Sequence, residues 1–298
     1  MLAPQKTQSA GQILNAAQLS PQVNSYTINP GPPKTITVTS ASRLAQLQKV
    51  SVSGTLLPKQ LIAIDPKTNR RTVSHDPNGY AINPSDGDLH LDLGPAASQP
   101  HITCELQSAT PFLSTFKAAI GKQIILGGFF RCLFEHPGFG GGDDGHIFEI
   151  HPVRTANISG KIQNFDVGIP DQQSIHTWTS PHPLNDQDSK IRVKYVPASD
   201  TLTFSGTDGS DENYVRVTGT VSQVQLNLTG GPATFVLTSP DIGHSIRALC
   251  LRDTTAANQL SQIKGSKVTM VALRNIDLAD ALRSKYTINL LGIDIQPA

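Results

Sequence analysis

QKVSVSGTL at residues 48–56 recurs in closely similar form as NYVRVTGTV at residues 213–221. Both copies contain V-x-V-[ST]-G-T, in which valine alternates with another residue type. Alternation with a period of two is typical of a strand with one buried face. The glycine of each copy, Gly54 or Gly219, favours a bulge or a sharp bend in that strand. The repeated strand therefore predicts an internal duplication of a β unit.

The same order of elements follows each copy of this strand. Two further strands come next, then a helix, then two more strands. Both predicted helices begin with threonine and end with glycine, which are favourable N-cap and C-cap residues. Three strands, a helix and two strands are the order of the OB fold, a small five-stranded barrel. The predicted pairs are strands at 86–94 and 232–239, strands at 101–108 and 244–253, helices at 110–121 and 254–265, strands at 122–134 and 266–276, and strands at 145–153 and 288–297.

We therefore predict a mainly β protein made of two tandem five-stranded OB-type β-barrels, each with one helix between strands 3 and 4. The 24 glycines and 21 prolines agree with many short strands joined by turns. The predicted divisions are an N-terminal arm at 1–33, a first barrel at 34–158, a linker at 159–187, and a second barrel at 188–298 with an extra strand pair at 191–197 and 201–206.

Two short motifs in the first half resemble those of a known group of proteins. SDGDLH (85–90) and EIHPV (149–153) are similar to the S-D-G-D-x-H and E-[IL]-H-P motifs of uncharacterised bacterial OB-like proteins. The resemblance implies an OB-type fold and implies no particular activity. The second half departs from the pattern, since its D-I-Q-P motif (294–297) aligns with E-I-H-P. The matching positions are Asp86, Asp88, His90, Glu149, His151 and Pro152.

The first predicted barrel carries acidic and imidazole side chains on neighbouring strands. Alternation places Leu89, Leu91 and Leu93 inside the barrel and the residues between them outside. Imidazole and carboxylate groups suit zinc or another divalent metal, and they also suit acid–base chemistry. A solvated outer face is the competing interpretation, because such faces are ordinarily polar. The candidate metal ligands are Asp88, His90, Glu105, Glu149 and His151.

Two predicted loops are candidates for ligand contact, because the loops after strands 1 and 4 of OB folds often touch the ligand. The first, at 59–84, contains basic residues, and the second, at 135–145, is rich in glycine. Single-stranded nucleic acid needs a basic groove and aromatic stacking platforms, whereas this chain has a net charge of +1 and 5% aromatic residues. The candidate ligand-binding residues are Lys67, Arg70, Arg71 and Phe139.

Catalytic signatures are missing from the sequence. There is no GxSxG, no HExxH and no GxGxxG that opens a helix. Hence we predict no catalytic residue, and no cofactor apart from the candidate divalent metal. The N-terminus lacks the basic start and apolar run of a signal peptide, and no long apolar run is present. A cytoplasmic location away from membranes is therefore expected.

Three functional hypotheses stay open. In the first, the chain is a non-catalytic tandem OB-fold protein that binds single-stranded nucleic acid or another oligomer. In the second, it is a scaffold subunit of a protein assembly, whose arm (1–33) docks on a neighbour and forms an oligomer. In the third, it is a metal-dependent enzyme with its site on the first barrel.

Overall fold

The protein is known from a computed structural model, and the descriptions below concern the following part of the chain. The described residues are 13–16, 18–19, 26–29, 34–64, 71–76, 78–84, 86–95, 101–136, 146–170, 172–180, 183–206, 213–226, 232–263 and 265–298.

The described chain is mainly β, as predicted. Its strands are β1 (Ile13–Asn15), β2 (Tyr26–Asn29), β3 (Lys34–Thr39), β4 (Lys49–Leu56), β5 (Lys59–Ile64), β6 (Arg71–Asp76), β7 (Leu89–Gly94), β8 (Ile102–Leu106), β9 (Gln123–His136), β10 (His146–Ile158), β11 (Lys161–Asn164), β12 (Ile175–Thr177), β13 (Arg192–Val196), β14 (Thr201–Gly206), β15 (Tyr214–Gln225), β16 (Ala233–Ser239), β17 (His244–Cys250), β18 (Lys267–Ile276) and β19 (Ile288–Pro297). Its α-helices are α1 (Ala41–Leu44), α2 (Leu113–Lys117), α3 (Pro183–Lys190), α4 (Thr255–Gln262) and α5 (Leu278–Ala281).

Five strands of the second half form a closed β-barrel. The strands pair in the order β15–β16–β17–β19–β18, and β18 pairs back with β15 to close the ring. β17 and β19 run parallel, and the other neighbours are antiparallel. Val217, Leu237 and Met270 are fully buried on the inner face. The alternation of apolar residues along these strands is what fills this core.

The first half contains a second ring of paired strands. β4, β7, β8, β10 and β9 follow one another in that order, and β9 pairs with both β10 and β4. β8 and β10 are the parallel pair. The order along the ring is therefore the same as in the second half, and β7, β8 and β10 are neighbours.

The two predicted helices between the third and fourth strands differ in length. In the second half, Thr254 Oγ1 accepts a hydrogen bond from Ala257 N at 3.2 Å and caps α4, as predicted. In the first half, Thr110 starts a turn of 3₁₀-helix and does not cap α2, which has five residues. Gly121 follows α2 with a φ of +80°, a conformation that favours glycine. No helix in the described ranges is long and apolar enough to cross a membrane.

The two halves share more than the strand order of their rings. β1 pairs in parallel with β4, and β12 pairs in parallel with β15, so each first strand has the same extra partner. The predicted strand pair forms as β13 and β14, and β14 also pairs with β3 of the N-terminal region. β3 pairs with β2, which completes a four-stranded sheet shared by both halves. The segments predicted as an arm (1–33) and a linker (159–187) thus contribute strands, namely β1 and β2 in the first and β11 and β12 in the second.

The ladders also correct the alignment of the two final strands. β4, β8 and β9 of the first ring correspond to β15, β17 and β18 of the second, and their cross-strand pairs can be matched residue by residue. This match places Asn289 at the position of Glu149 and Leu291 at that of His151. The sequence-based alignment with D-I-Q-P (294–297) is wrong, because Asp294 lies five residues beyond Asn289, which occupies the position of Glu149 in the ladder.

Candidate functional site

The structure brings the five candidate metal ligands together on one face of the first ring. His151 Nδ1 lies 2.8 Å from Glu105 Oε2 and 3.2 Å from Glu149 Oε1. His151 Nε2 lies 3.5 Å from Asp88 Oδ2. His90 and Glu105 are direct cross-strand partners, with 3.5 Å between Nε2 and Oε1. We call these five side chains the carboxylate–histidine cluster.

The local sequence of β9 and β10 positions His151 in the middle of this cluster. The ladder between these strands is irregular from Ile150 to Val153, and the His151–Pro152 peptide bond is cis. At Gly128 the backbone of β9 lies so close to β10 that a Cβ atom on this residue would be 2.3 Å from Pro152 O. Glycine at this position therefore allows β10 to bend over β9.

The cluster is buried rather than solvated. The exposed fractions are 1% for Asp88, 3% for Glu105, 2% for Glu149 and 0% for His151, while the His90 side chain keeps 19%. The interpretation of this face as a solvated barrel exterior is wrong. The second half of the chain covers it, so that β8 is buried on both of its faces.

Arg131 is a member of the site that the sequence analysis did not identify. It is fully buried and stands directly opposite Glu149 in the β9–β10 ladder, where Nη1 donates to Glu149 Oε1. Its Nε donates to the backbone oxygen of Arg274 at 2.7 Å, and Nη2 donates to Asn213 Oδ1. One guanidinium thus neutralises a carboxylate of the first half and binds two residues of the second half.

Tyr214 is the second residue that sequence analysis missed. Its hydroxyl donates to Asp88 Oδ2, accepts from Gln107 Nε2 at 2.9 Å, and lies 3.1 Å from His151 Nε2. A phenol that has donated its proton can only accept from the imidazole, so His151 Nε2 carries a proton in this arrangement. Tyr214 begins β15 of the second half, and it joins the cluster across the junction of the two rings.

The charges around His151 favour its doubly protonated form. Burial by itself lowers the pKa of His151, but the nearby carboxylates of Glu105, Asp88 and Glu149 outweigh burial and raise the pKa well above its usual value of 6.5. Burial and Glu149 act to raise the pKa of Glu105, whereas His90 and His151 lower it, and the net pKa is below the usual value. The cluster is therefore a network of buried opposite charges.

A cavity of about 440 Å³ opens beside the cluster, at the junction of the two halves. Asp86 lines it, and partial burial together with the neighbouring charge of Asp88 raises the pKa of Asp86 to about 6. Tyr214 forms another part of the wall, so the cavity lies next to the buried network. The lining residues are Pro84, Asp86, Gln173, Ser174, His176, Asn213 and Tyr214.

The candidate ligand-binding residues are placed only in part. Arg71 begins β6, where it pairs with Ile64 of β5. Lys67, Arg70 and Phe139 lie outside the described residues. A cavity of about 300 Å³ borders the described part of the first loop, and its lining residues are Lys59, Gly79, Tyr80, Ala81, Asn83 and His90.

Three of the buried groups could hold a divalent metal. Asp88, Glu105 and His151 each offer one donor atom, and these atoms lie within 4.8 Å of one another. Glu149 is engaged by Arg131, and His90 lies on the partly exposed side of Glu105. The cysteines are less suited to chemistry, since burial raises the pKa of Cys104 well above its usual value and that of Cys250 to about 12.

Comparisons with known proteins leave the chain without a demonstrated family. No protein-family model matches it, and no curated protein matches it. One solved structure, described as "Structural mimicry for functional antagonism", is 10% identical over 84% of this chain and 93% of that chain, with a TM-score of 0.24. A similarity of that size supports no statement about fold or function. The observations define the chain as a mainly β protein with a buried ionic network between its two halves.

The stability of the chain is expected to fall as the pH rises from about 5 to 8. Because the folded pKa of His151 is raised, its contribution is complete below about pH 6.5 and is lost as the pH rises through the folded value. The pKa of Asp86 is also raised, so ionising Asp86 between about pH 4 and 6 costs folded stability. Partial exposure reduces that cost to about 1 kcal/mol. Glu105 acts oppositely, since its contribution is lost only as the pH falls below its usual value of 4.5.

Urea unfolding in the presence of EDTA, at a series of pH values, measures this dependence for the metal-free chain. Asp86→Asn serves as the comparison, because it removes one of the two titrating groups while leaving His151 in place. The variant should show a flatter profile between about pH 4 and 6 and an unchanged fall above pH 6.5. A wild-type chain that gains stability between pH 5 and 8 would contradict the assignment of charges in the cluster.

Proposed function

We propose that this chain is a non-catalytic binding protein built from two OB-type barrels. The strand order in both rings supports the OB assignment, since neighbours follow as strands 1, 2, 3, 5 and 4, with strands 3 and 5 parallel. A helix separates strands 3 and 4 in each half. The resemblance to uncharacterised bacterial OB-like proteins belongs to the same proposal, because its motif positions include the buried Asp88, Glu149 and His151.

The burial of the carboxylate–histidine cluster is the observation that carries the non-catalytic part of the proposal. General acid–base catalysis requires that a substrate reach the titrating groups. Both nitrogens of His151 are instead occupied by groups of the protein, and Tyr214 closes the cluster from the second half. Such a network supports a rigid join between two barrels better than it supports turnover.

The ligand-binding face is proposed to lie on the first barrel beside the β5–β6 hairpin. This hairpin is inserted between β4 and β7, which is the position of the ligand-contacting loop after strand 1 of OB folds. A polar cavity follows the same loop, with Lys59 and His90 in its wall. The proposed ligand is single-stranded nucleic acid or another oligomer, for which a basic loop near a polar groove is the expected arrangement.

Fluorescence anisotropy of labelled single-stranded DNA and RNA tests this proposal with the full chain. We expect binding that weakens from low to moderate salt, because phosphate contacts release counterions. The double variant Arg70→Glu/Arg71→Glu should abolish binding, whereas Lys161→Glu/Lys267→Glu, which reverses two exposed charges elsewhere, should leave most of it. If the wild type binds neither DNA nor RNA at low salt, nucleic acid is excluded as the ligand.

A further inference from the structure

We propose that Asp88, Glu105 and His151 form a divalent-cation site that fastens the two halves of the chain together. Their donor atoms lie within 4.8 Å of one another. The separation between His151 Nε2 and Asp88 Oδ2 is 3.5 Å. Two ligands bound at about 2.0–2.2 Å to a tetrahedral zinc ion lie about 3.4 Å apart. A cation that replaces the proton on His151 Nε2, and with it the contact of Nε2 with the Tyr214 hydroxyl at 3.1 Å, would therefore find the imidazole and the carboxylate already at a suitable spacing.

An unsatisfied oxygen within the cluster points independently to a missing partner. Asp88 is 1% exposed, and no donor among the described residues reaches its Oδ1. A buried carboxylate oxygen without a hydrogen bond is costly, since burial has removed its water. The other oxygen of the same carboxylate accepts from Tyr214 and faces His151. A cation next to this carboxylate would satisfy the oxygen that the protein leaves unpaired.

The balance of charge supports a divalent ion. Asp88, Glu105 and Glu149 contribute three negative charges to the buried region, and Arg131 contributes one positive charge. A divalent cation beside a neutral imidazole, the form that binds metals, completes the neutralisation. One nitrogen and two carboxylate oxygens suit zinc, manganese or iron(II) better than a thiol-seeking metal.

The residues that contact the three candidate ligands form hydrogen bonds of the kind that commonly orient metal ligands. Ligating histidines commonly donate their other N–H to a carboxylate, and His151 Nδ1 lies 2.8 Å from Glu105 Oε2 and 3.2 Å from Glu149 Oε1. Glu149 would keep this role when Glu105 turns from Nδ1 towards the cation. Glu149 is itself held by Arg131, which also binds the second half. Tyr214 of the second half donates to the ligand Asp88. The cation would thus be linked to both halves through hydrogen bonds that already exist, with a structural rather than a catalytic role.

Metal analysis of the untagged full chain, purified without chelator, is the first test. We expect a stoichiometric divalent metal, or stoichiometric uptake of Zn²⁺ or Mn²⁺ by the EDTA-treated chain in titration calorimetry. Removing the metal should lower Tm, because a ligand that binds only the folded state stabilises it. Failure of the folded wild type to contain or take up either ion overturns the proposal. This outcome is independent of nucleic-acid binding, so the two proposals can fail separately.

Matched variants then locate the site. Asp88→Asn should lose the uptake and the metal-dependent rise in Tm. Asp92→Asn is the control, because Asp92 is also 1% exposed and lies in the same region but pairs with Lys59 at 3.7 Å and His101 at 3.6 Å. The d–d absorption spectrum of the Co²⁺-loaded wild type should report a low-coordinate site with nitrogen and oxygen ligands. Uptake that survives Asp88→Asn, or that is lost equally in Asp92→Asn, overturns the assignment to these ligands.

Discussion

Arg131→Met should lower the free energy of unfolding by about 3–5 kcal/mol. The arginine is fully buried and faces Glu149 across the β9–β10 ladder. Methionine fills much of the same volume but removes the positive charge, so Glu149 would remain buried among other carboxylates without compensation. The bond from Arg131 Nε to the Arg274 backbone would also be lost, which weakens the contact between the two halves. Urea unfolding near neutral pH measures the change.

Arg154→Met is the matched control for this prediction. Arg154 lies on the adjacent strand β10 and pairs with Asp166 at 3.3 Å, but the carboxylate is 60% exposed. Exposed ion pairs contribute about 0–1 kcal/mol, because water screens the charges. If the two variants lose similar amounts of stability, the buried network is not what joins the halves. An unchanged m-value in both variants would show that the substitutions change the free energy of unfolding and not the compactness of the unfolded chain.

Much of the ring architecture could be predicted because its signals are local. The V-x-V-[ST]-G-T strand recurs, and period-two alternation along the later strands places residues such as Leu91 and Leu237 inside. The N-terminal and connecting segments could not be predicted in the same way. β1 and β12 are three-residue strands whose partners lie tens of residues away, so nothing in their own sequence indicates a strand.

The candidate site was predictable on the first half alone. Alternation on β7, β8 and β10 brings Asp88, Glu105 and His151 to one face, and the pairing of these neighbouring strands brings the three side chains close together. What covers this face depends on how the two halves dock, which no local pattern encodes. One feature of the sequence indicates that Arg131 is buried in a polar site, since it is a lone charged residue between apolar residues in FFRCLF. No such feature marks Tyr214, because the residue at its position in the first V-x-V-[ST]-G-T segment is Lys49, which gives no hint of a buried hydroxyl.

A position-by-position comparison of the two rings shows that the charged side chains of the network come from the first ring. The matched ladders place Asn275 at the position of Arg131 and Leu249 at that of Glu105. The second ring therefore presents mostly apolar or uncharged side chains where the first presents carboxylates. Tyr214, Leu273 and Leu291 of this face pack with Phe129 of the first ring. One ring supplies the charges and the other supplies the apolar cover that buries them, so the two rings depend on each other.

Leu19→Ala is expected to lower the free energy of unfolding by roughly 2–5 kcal/mol. Leu19 follows β1 in the N-terminal segment, is 1% exposed, and belongs to the main hydrophobic core together with Leu14 and Ala16. The segment is anchored further by β1, which pairs with β4 from Ile13 to Asn15. Removing a buried leucine leaves a cavity that the surrounding barrel fills only in part. Thermal and urea unfolding of the purified variant measure the loss.

Ile13→Ala is the control, because Ile13 lies in the same segment but is 52% exposed, and its truncation should change stability far less.

The comparison bears on the scaffold hypothesis, in which the arm at 1–33 docks on a neighbouring chain. If the arm is part of the fold of its own chain, deleting residues 1–20 destabilises a monomer, and light scattering of the full chain shows no change of mass with concentration. If the Leu19→Ala variant keeps its stability and the full chain dissociates on dilution, Leu19 is buried against another chain, and the scaffold hypothesis gains its first support.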